Sequence, residues 1–138
     1  MIKVIIAGAA GRMGQRVAYM VKRHPQLQWV AGFEAAGHPA VGKDAGLLSV
    51  GEANGVIIGE GIESVIDKGD VIIDFTFHKA TMEFARVAAR HGRAMVIGKT
   101  GLTPENLAEL NDLAKNFHCV QAPNMPVCVN VMMKLVKK

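Results

Sequence analysis

The stretch VIIAGAAGRMGQRV, Val4 to Val17, decides how the chain is read. A continuous apolar run ends at Ala7 and gives way to three glycines, Gly8, Gly11 and Gly14. Apolar residues then resume at helical spacing with Met13, Val17, Met20 and Val21. This order reads as a buried strand that turns sharply into a helix. Removing side chains at such a turn lets the backbone bend tightly and come close to a ligand. The free N–H groups and the dipole of a helix start favour an anion there. The helix is expected to stop before Pro25, because the residue preceding a proline is pushed out of the α region.

Outward from this unit the same alternation recurs. Apolar runs predict strands at Lys3–Ala7, Gln28–Phe33, Gly55–Ile58, Val71–Phe75, Ala94–Ile97 and His118–Gln121. A helix is predicted from about Lys79 to His91, with Phe84, Ala85, Val87 and Ala88 apolar and Gly92 at its end. Another follows Thr103 as N-cap, with Pro104 in the first helical position, Glu105 in the first turn, and Leu107, Leu110 and Ala114 on one face. Continuous apolar strands alternating with helices imply a parallel sheet covered on both faces, since parallel neighbours require crossovers. The expected fold is α/β, a doubly wound, Rossmann-type, mostly parallel sheet in a single domain. Ala35 to Gly51 has no clear period and is expected to be a surface loop with a helical turn.

Composition narrows the function classes. Half of the 138 residues are apolar, enough for one core. No run approaches the roughly 18 apolar residues of a membrane span, and no signal sequence opens the chain, so a cytoplasmic protein without membrane contact is expected. The net charge of +4 is dispersed and aromatics make up 5% of the chain, which argues against nucleic acid as a partner. Cys119 and Cys128 lack a metal-type spacing and read as reduced thiols; no metal site is expected.

The glycine spacing is G-x-x-G-x-x-G, with Ala10 where the strict dinucleotide fingerprint has its middle glycine. Glu34, at the end of the second strand, stands where a carboxylate accepts hydrogen bonds from an adenosine ribose. Ala35 follows it rather than an arginine suited to a 2′-phosphate. NADH is therefore favoured as cofactor, with NADPH open through partial compensation by Arg12, His38 or Lys43.

Taken together, GAAGRMG (Gly8–Gly14), Glu34, DFTFHKAT (Asp74–Thr81), VIGKTGL (Val96–Leu102) and APNMPVCVNV (Ala122–Val131) resemble the 4-hydroxy-tetrahydrodipicolinate reductase family of bacterial lysine and diaminopimelate synthesis, also called dihydrodipicolinate reductase. The resemblance runs through essentially the whole chain. It implies that Gly8, Ala9, Ala10, Gly11, Arg12 and Met13, with Gly14 at the helix entry, line a pyrophosphate, and that Glu34 meets the ribose. It also implies that Phe75 and Thr76 touch the cofactor near the fourth strand. Gly98, Lys99 and Thr100 would lie at the nicotinamide end, and Ala122, Pro123, Asn124 and Met125 on the carboxamide side, with Thr100 also touching substrate.

The departures are specific. Lys99 replaces a hydroxyl residue of the family pattern, and Pro126 and Cys128 replace a serine and a glycine near the nicotinamide. The family's proton donor lies in a His-His motif followed by lysine on a second domain, which binds a dicarboxylate substrate and builds a homotetramer. The five histidines here, His24, His38, His78, His91 and His118, form no such pair, so no catalytic residue is assigned in this chain. Residues 1–128 are expected to be the dinucleotide-binding domain. Residues 129–138, with Val131, Met132, Leu135 and Val136 as an apolar stripe, are expected to start a helix leading to an absent substrate domain. The chain is thus expected to be truncated and inactive alone. A non-catalytic NAD(P)-binding regulatory module and another Rossmann oxidoreductase remain as alternatives.

Overall fold

The computed structural model describes residues 1–76, 78–98 and 102–121. Six strands, β1 (Ile2–Ala7), β2 (Leu27–Glu34), β3 (Ile58–Glu60), β4 (Val71–Asp74), β5 (Ala94–Ile97) and β6 (Cys119–Gln121), form one sheet in the order β3-β2-β1-β4-β5-β6. Every ladder is parallel. The order reverses direction between β2 and β4 around β1, the arrangement in which a doubly wound sheet opens a crevice at the carboxyl ends of its central strands. The doubly wound α/β expectation holds.

Because side chains alternate across a strand, each central strand feeds two cores. Val4 and Ile6 of β1, Val71 and Ile73 of β4, and Val96 of β5 pack on one face with α1 (Arg12–Arg23), through Val17, Ala18 and Val21. Ile5, Ile72, Met95 and Ile97 face the other way, against α3 (His78–His91) and α4 (Pro104–Leu113), through Ala85, Ala88 and Leu110. The continuous apolar runs are therefore two-sided strands, buried by helices on both faces.

Several local expectations shift. The buried stripe of α1 is Gly14, Val17, Ala18 and Val21, while Met13 and Met20 are 40% and 44% exposed. Two small residues, Gly14 and Ala18, let the helix lie closer to the sheet than the methionine stripe would, and the helix turns accordingly. β3 begins at Ile58 rather than Gly55, because Ala45 and Gly42 on the preceding loop take up the backbone of Val56 and Ile58. On α4 only Leu110 of the expected stripe is buried; Leu107 and Ala114 face solvent. The cap itself forms as expected, with Thr103 accepting from the Asn106 N–H at 3.1 Å and Pro104 following it.

The β2–β3 connection contains a short helix, α2 (Ala45–Ser49), consistent with a loop holding one helical turn. Its anchor is Asp44, whose carboxylate accepts from the backbone N–H groups of Gly46, Leu47, Asn54 and Gly55. Two 3₁₀ turns, Ile62–Ser64 and Ile66–Lys68, make the crossover from β3 to β4 in place of a full helix. The expected boundary at residues 128 and 129, and the stripe from Val131 to Val136, lie outside the described residues.

Candidate functional site

The site starts at the turn that leaves the carboxyl end of β1. Gly8 adopts φ +64°, a conformation open to glycine at little cost, and its N–H donates to the Phe33 carbonyl at 3.0 Å. Gly11 closes the turn by donating to the Gly8 carbonyl at 3.0 Å. Gly14 then sits directly over that carbonyl: a Cβ there would fall 2.1 Å from the Gly8 oxygen and 2.9 Å from the Ala9 Cα. The loop and the first turn of α1 can pack this closely only without a side chain at Gly14.

The N-cap of α1 is Gly11, which has no side chain to cap it, and no acidic residue occupies its first turn. The first-turn N–H groups therefore remain suited to an external anion. Ala9 is fully buried beneath the loop. Ala10 is half-buried; its N–H donates to Glu34 Oε1 at 2.8 Å and its carbonyl accepts from Gln15 Nε2 at 3.0 Å. Sequence pattern does not single out Gln15, because a polar residue on an exposed helix turn looks like any solvated side chain.

Across the crevice, at the end of β4, Asp74 is fully buried. Its Oδ1 accepts from both the backbone N–H and the hydroxyl of Thr76, at 2.8 and 2.5 Å. Its Oδ2 accepts from the Thr81 hydroxyl of α3 at 2.5 Å. A buried carboxylate supplied with three donors is satisfied rather than stranded, and it pins the Thr76 turn against the glycine loop. The Thr76 methyl lies 3.0 Å from where a Gly8 Cβ would be. The Phe75 ring lies against Gly98, whose N–H donates to the Asp74 carbonyl at 2.9 Å.

These elements enclose a cleft of about 840 Å³ whose walls include Gly8, Gly11, Met13, Glu34, Phe75 and Thr76. The size is that of a small-molecule or cofactor site, and it lies outside the carboxyl ends of β1, β2 and β4. Arg12 and Gly14 also line it. The residues present fit a dinucleotide: a loop that excludes Cβ atoms, an uncapped helix start, and a carboxylate at the end of β2. Lys99, Thr100, Ala122, Pro123, Asn124 and Met125 lie outside the described residues, as do Pro126 and Cys128.

With this geometry in place, comparison with known proteins decides the family. Residues 2–125 match the family described as dihydrodipicolinate reductase, N-terminus. The chain belongs to this family. All 138 residues align at 71% identity with 51% of a 4-hydroxy-tetrahydrodipicolinate reductase from Desulfotalea psychrophila, and at 43% identity with 51% of one from Anaeromyxobacter dehalogenans. Among solved structures, a dipicolinate-bound dihydrodipicolinate reductase from Paenisporosarcina sp. TG-14 matches with a TM-score of 0.71 at 29% identity, covering 90% of this chain and 48% of that one. The chain thus spans about half the length of the curated relatives it matches.

Cys119 is a free thiol, and burial pushes its pKa up to about 11, which makes it a poor nucleophile. Among the described residues no helix is long and apolar enough to cross a membrane.

Proposed function

We propose that this chain is the dinucleotide-binding part of a 4-hydroxy-tetrahydrodipicolinate reductase, acting in lysine and diaminopimelate synthesis in the cytoplasm, and that it takes NADH in preference to NADPH. One observation carries the cofactor reading: Glu34 Oε1 is held by the Ala10 N–H at 2.8 Å, so its carboxylate is fixed at the cleft wall. A ribose 2′-hydroxyl can donate to such a carboxylate, whereas a 2′-phosphate brings a second negative charge against it. Glu60 pairs in register with Glu34, and Glu60 and Glu63 add negative charge to the same wall. Arg12 brings a positive charge to the lining of the same cleft.

In this reading Gly8, Gly11 and the first turn of α1 through Gly14 bind the pyrophosphate, with Ala9 and Ala10 shaping the loop beneath it. Phe75 and Thr76 bound the cofactor on the β4 side, and Asp74 keeps Thr76 in place. Gly98, Lys99 and Thr100 form the nicotinamide end, Ala122, Pro123, Asn124 and Met125 its carboxamide side, and Thr100 reaches the substrate. When bound, the nicotinamide supplies the hydride; this chain holds and orients it. Residues 1–128 act as the nucleotide domain and 129–138 lead toward a domain that binds the cyclic dicarboxylate, donates the proton and assembles a homotetramer. The 138 residues alone then bind cofactor without turnover, because ring alignment and the proton both come from elsewhere.

Calorimetric titration with NADH and with NADPH tests this. Tighter binding of NADH, by about tenfold or 1.4 kcal/mol, is expected. A clear preference for NADPH would overturn the ribose argument, and binding of neither would overturn the dinucleotide reading.

A further inference from the structure

The imidazole of His38 stands four residues beyond Glu34, on the loop after β2, and lines the same cleft. Its Nδ1 accepts from the Ala40 N–H at 3.0 Å. An acceptor nitrogen carries no hydrogen, so the ring hydrogen is on Nε2. That nitrogen faces Glu34 Oε2 at 4.0 Å. The distance is too long for a direct hydrogen bond. It is the separation expected when one oxygen bridges the two, at about 2.8 Å from each and with an angle of about 90° at the bridging atom. Widening by about 0.5 Å brings that angle to the tetrahedral value.

Both partners are held by the backbone on their far side. Glu34 is anchored through Oε1 by Ala10, and His38 through Nδ1 by Ala40. Each therefore presents one fixed atom to the gap, an acceptor from Glu34 and a donor from His38. We infer that His38 and Glu34 together form a clamp for the 2′-hydroxyl of the adenosine ribose, with His38 Nε2–H donating to the hydroxyl oxygen and Glu34 Oε2 accepting its hydrogen.

A hydroxyl satisfies both atoms, because it donates and accepts at once. A 2′-phosphate accepts from His38 but has no hydrogen for Glu34, and it leaves the carboxylate facing an anion. His38 thus contributes to discrimination by completing a site that recognises a group of mixed donor and acceptor character. It is a cofactor-binding residue, remote from the reacting atoms. This inference rests on the dinucleotide reading above and adds a residue to it.

The variant His38→Asn separates the two ring nitrogens. An asparagine oxygen can replace Nδ1 as acceptor for Ala40 and so preserve the loop, while the donor toward Glu34 is lost. His38→Gln places its amide nearer the Nε2 position and restores a donor. Calorimetric titrations of the 138-residue chain use NADH and its 2′-deoxyadenosine analogue, with thermal melts as a check on folding. His38→Asn is expected to melt like wild type, to bind NADH roughly three- to tenfold more weakly, and to bind the 2′-deoxy analogue as wild type does. His38→Gln is expected to recover most of the NADH affinity. Unchanged NADH binding in His38→Asn, or an equal loss for both dinucleotides, would overturn the clamp while leaving the dinucleotide site standing. A wild-type chain that binds neither dinucleotide would overturn both.

Discussion

Gly14→Ala adds one methyl group where the helix start meets the glycine loop. The new Cβ would lie 2.1 Å from the Gly8 oxygen and 2.9 Å from the Ala9 Cα, all backbone atoms. Ordinary contact distances are about 3.5 Å, so about 1.4 Å of relief is required. The loop cannot yield freely, because the N–H groups of Gly8 and Ala9 both donate to the Phe33 carbonyl, at 3.0 and 3.3 Å. Overpacking of this kind costs about 1–3 kcal/mol, against a gain of at most about 1 kcal/mol from replacing glycine by alanine in a helix. With the obstruction in fixed backbone the high end applies, leaving a net loss of about 2 kcal/mol and a Tm lowered by about 8 °C for a domain of this size. The same movement displaces the pyrophosphate cradle. Thermal melts with and without NADH read both effects. At 100 times the dissociation constant a ligand stabilises wild type by about 2.7 kcal/mol, and this shift should nearly vanish in Gly14→Ala. A variant that melts within about 2 °C of wild type and keeps the full NADH shift would refute the close-packing argument.

Thr81→Val removes the donor to Asp74 Oδ2 and leaves a buried carboxylate oxygen without a partner; urea unfolding should show a loss of about 1–3 kcal/mol. NADH affinity should change less than about twofold, since Thr76 stays bonded to Oδ1. Asp44→Asn tests the anchor of α2. Partial desolvation raises the Asp44 pKa, but the N–H groups of Asn54, Gly55, Leu47 and Gly46 outweigh it and hold the carboxyl below its ordinary value. A lowered folded-state pKa stabilises above the unfolded value and loses that contribution as pH falls through the folded one. The melting difference between wild type and Asp44→Asn should therefore be full at neutral pH and shrink below about pH 4; a difference independent of pH would refute it.

The β-α unit from Val4 to Val17 was legible because three signals coincide there: a two-sided apolar strand, glycines at the turn, and a helical period. The strands β4 and β5 were legible for the same reason, since VIID and AMVI are apolar on both faces. The facing of α1 was legible only in part: Val17 and Val21 are buried as the period implies, the two methionines are not. Residue type ranks methionine above glycine and alanine as core, yet helix–sheet distance is set by the smallest residues, and Gly14 and Ala18 are buried while Met13 and Met20 are exposed. β3 was misplaced because GVII and IIGE are equally strand-like, and only the pairing of Glu34 with Glu60 selects the latter. Glu34 could be placed at the site from spacing alone. Its bond to Ala10 could not, because it joins two loops distant in the chain, and the orientation of His38 and the three donors around Asp74 could not, because these local contacts depend on turn conformations that residue type alone does not encode.

The most direct test of the dinucleotide site is an amide chemical-shift titration of the isotope-labelled chain with NADH. The largest changes are expected on Gly8, Ala10, Gly11, Met13 and Gly14, with Glu34 and Thr76, at the carboxyl ends of β1, β2 and β4. The charged groove between α3 and α4, around Arg86 and Asn116, should stay unchanged. Changes centred on that groove, or saturating NADH that leaves the glycine loop unperturbed, would contradict it.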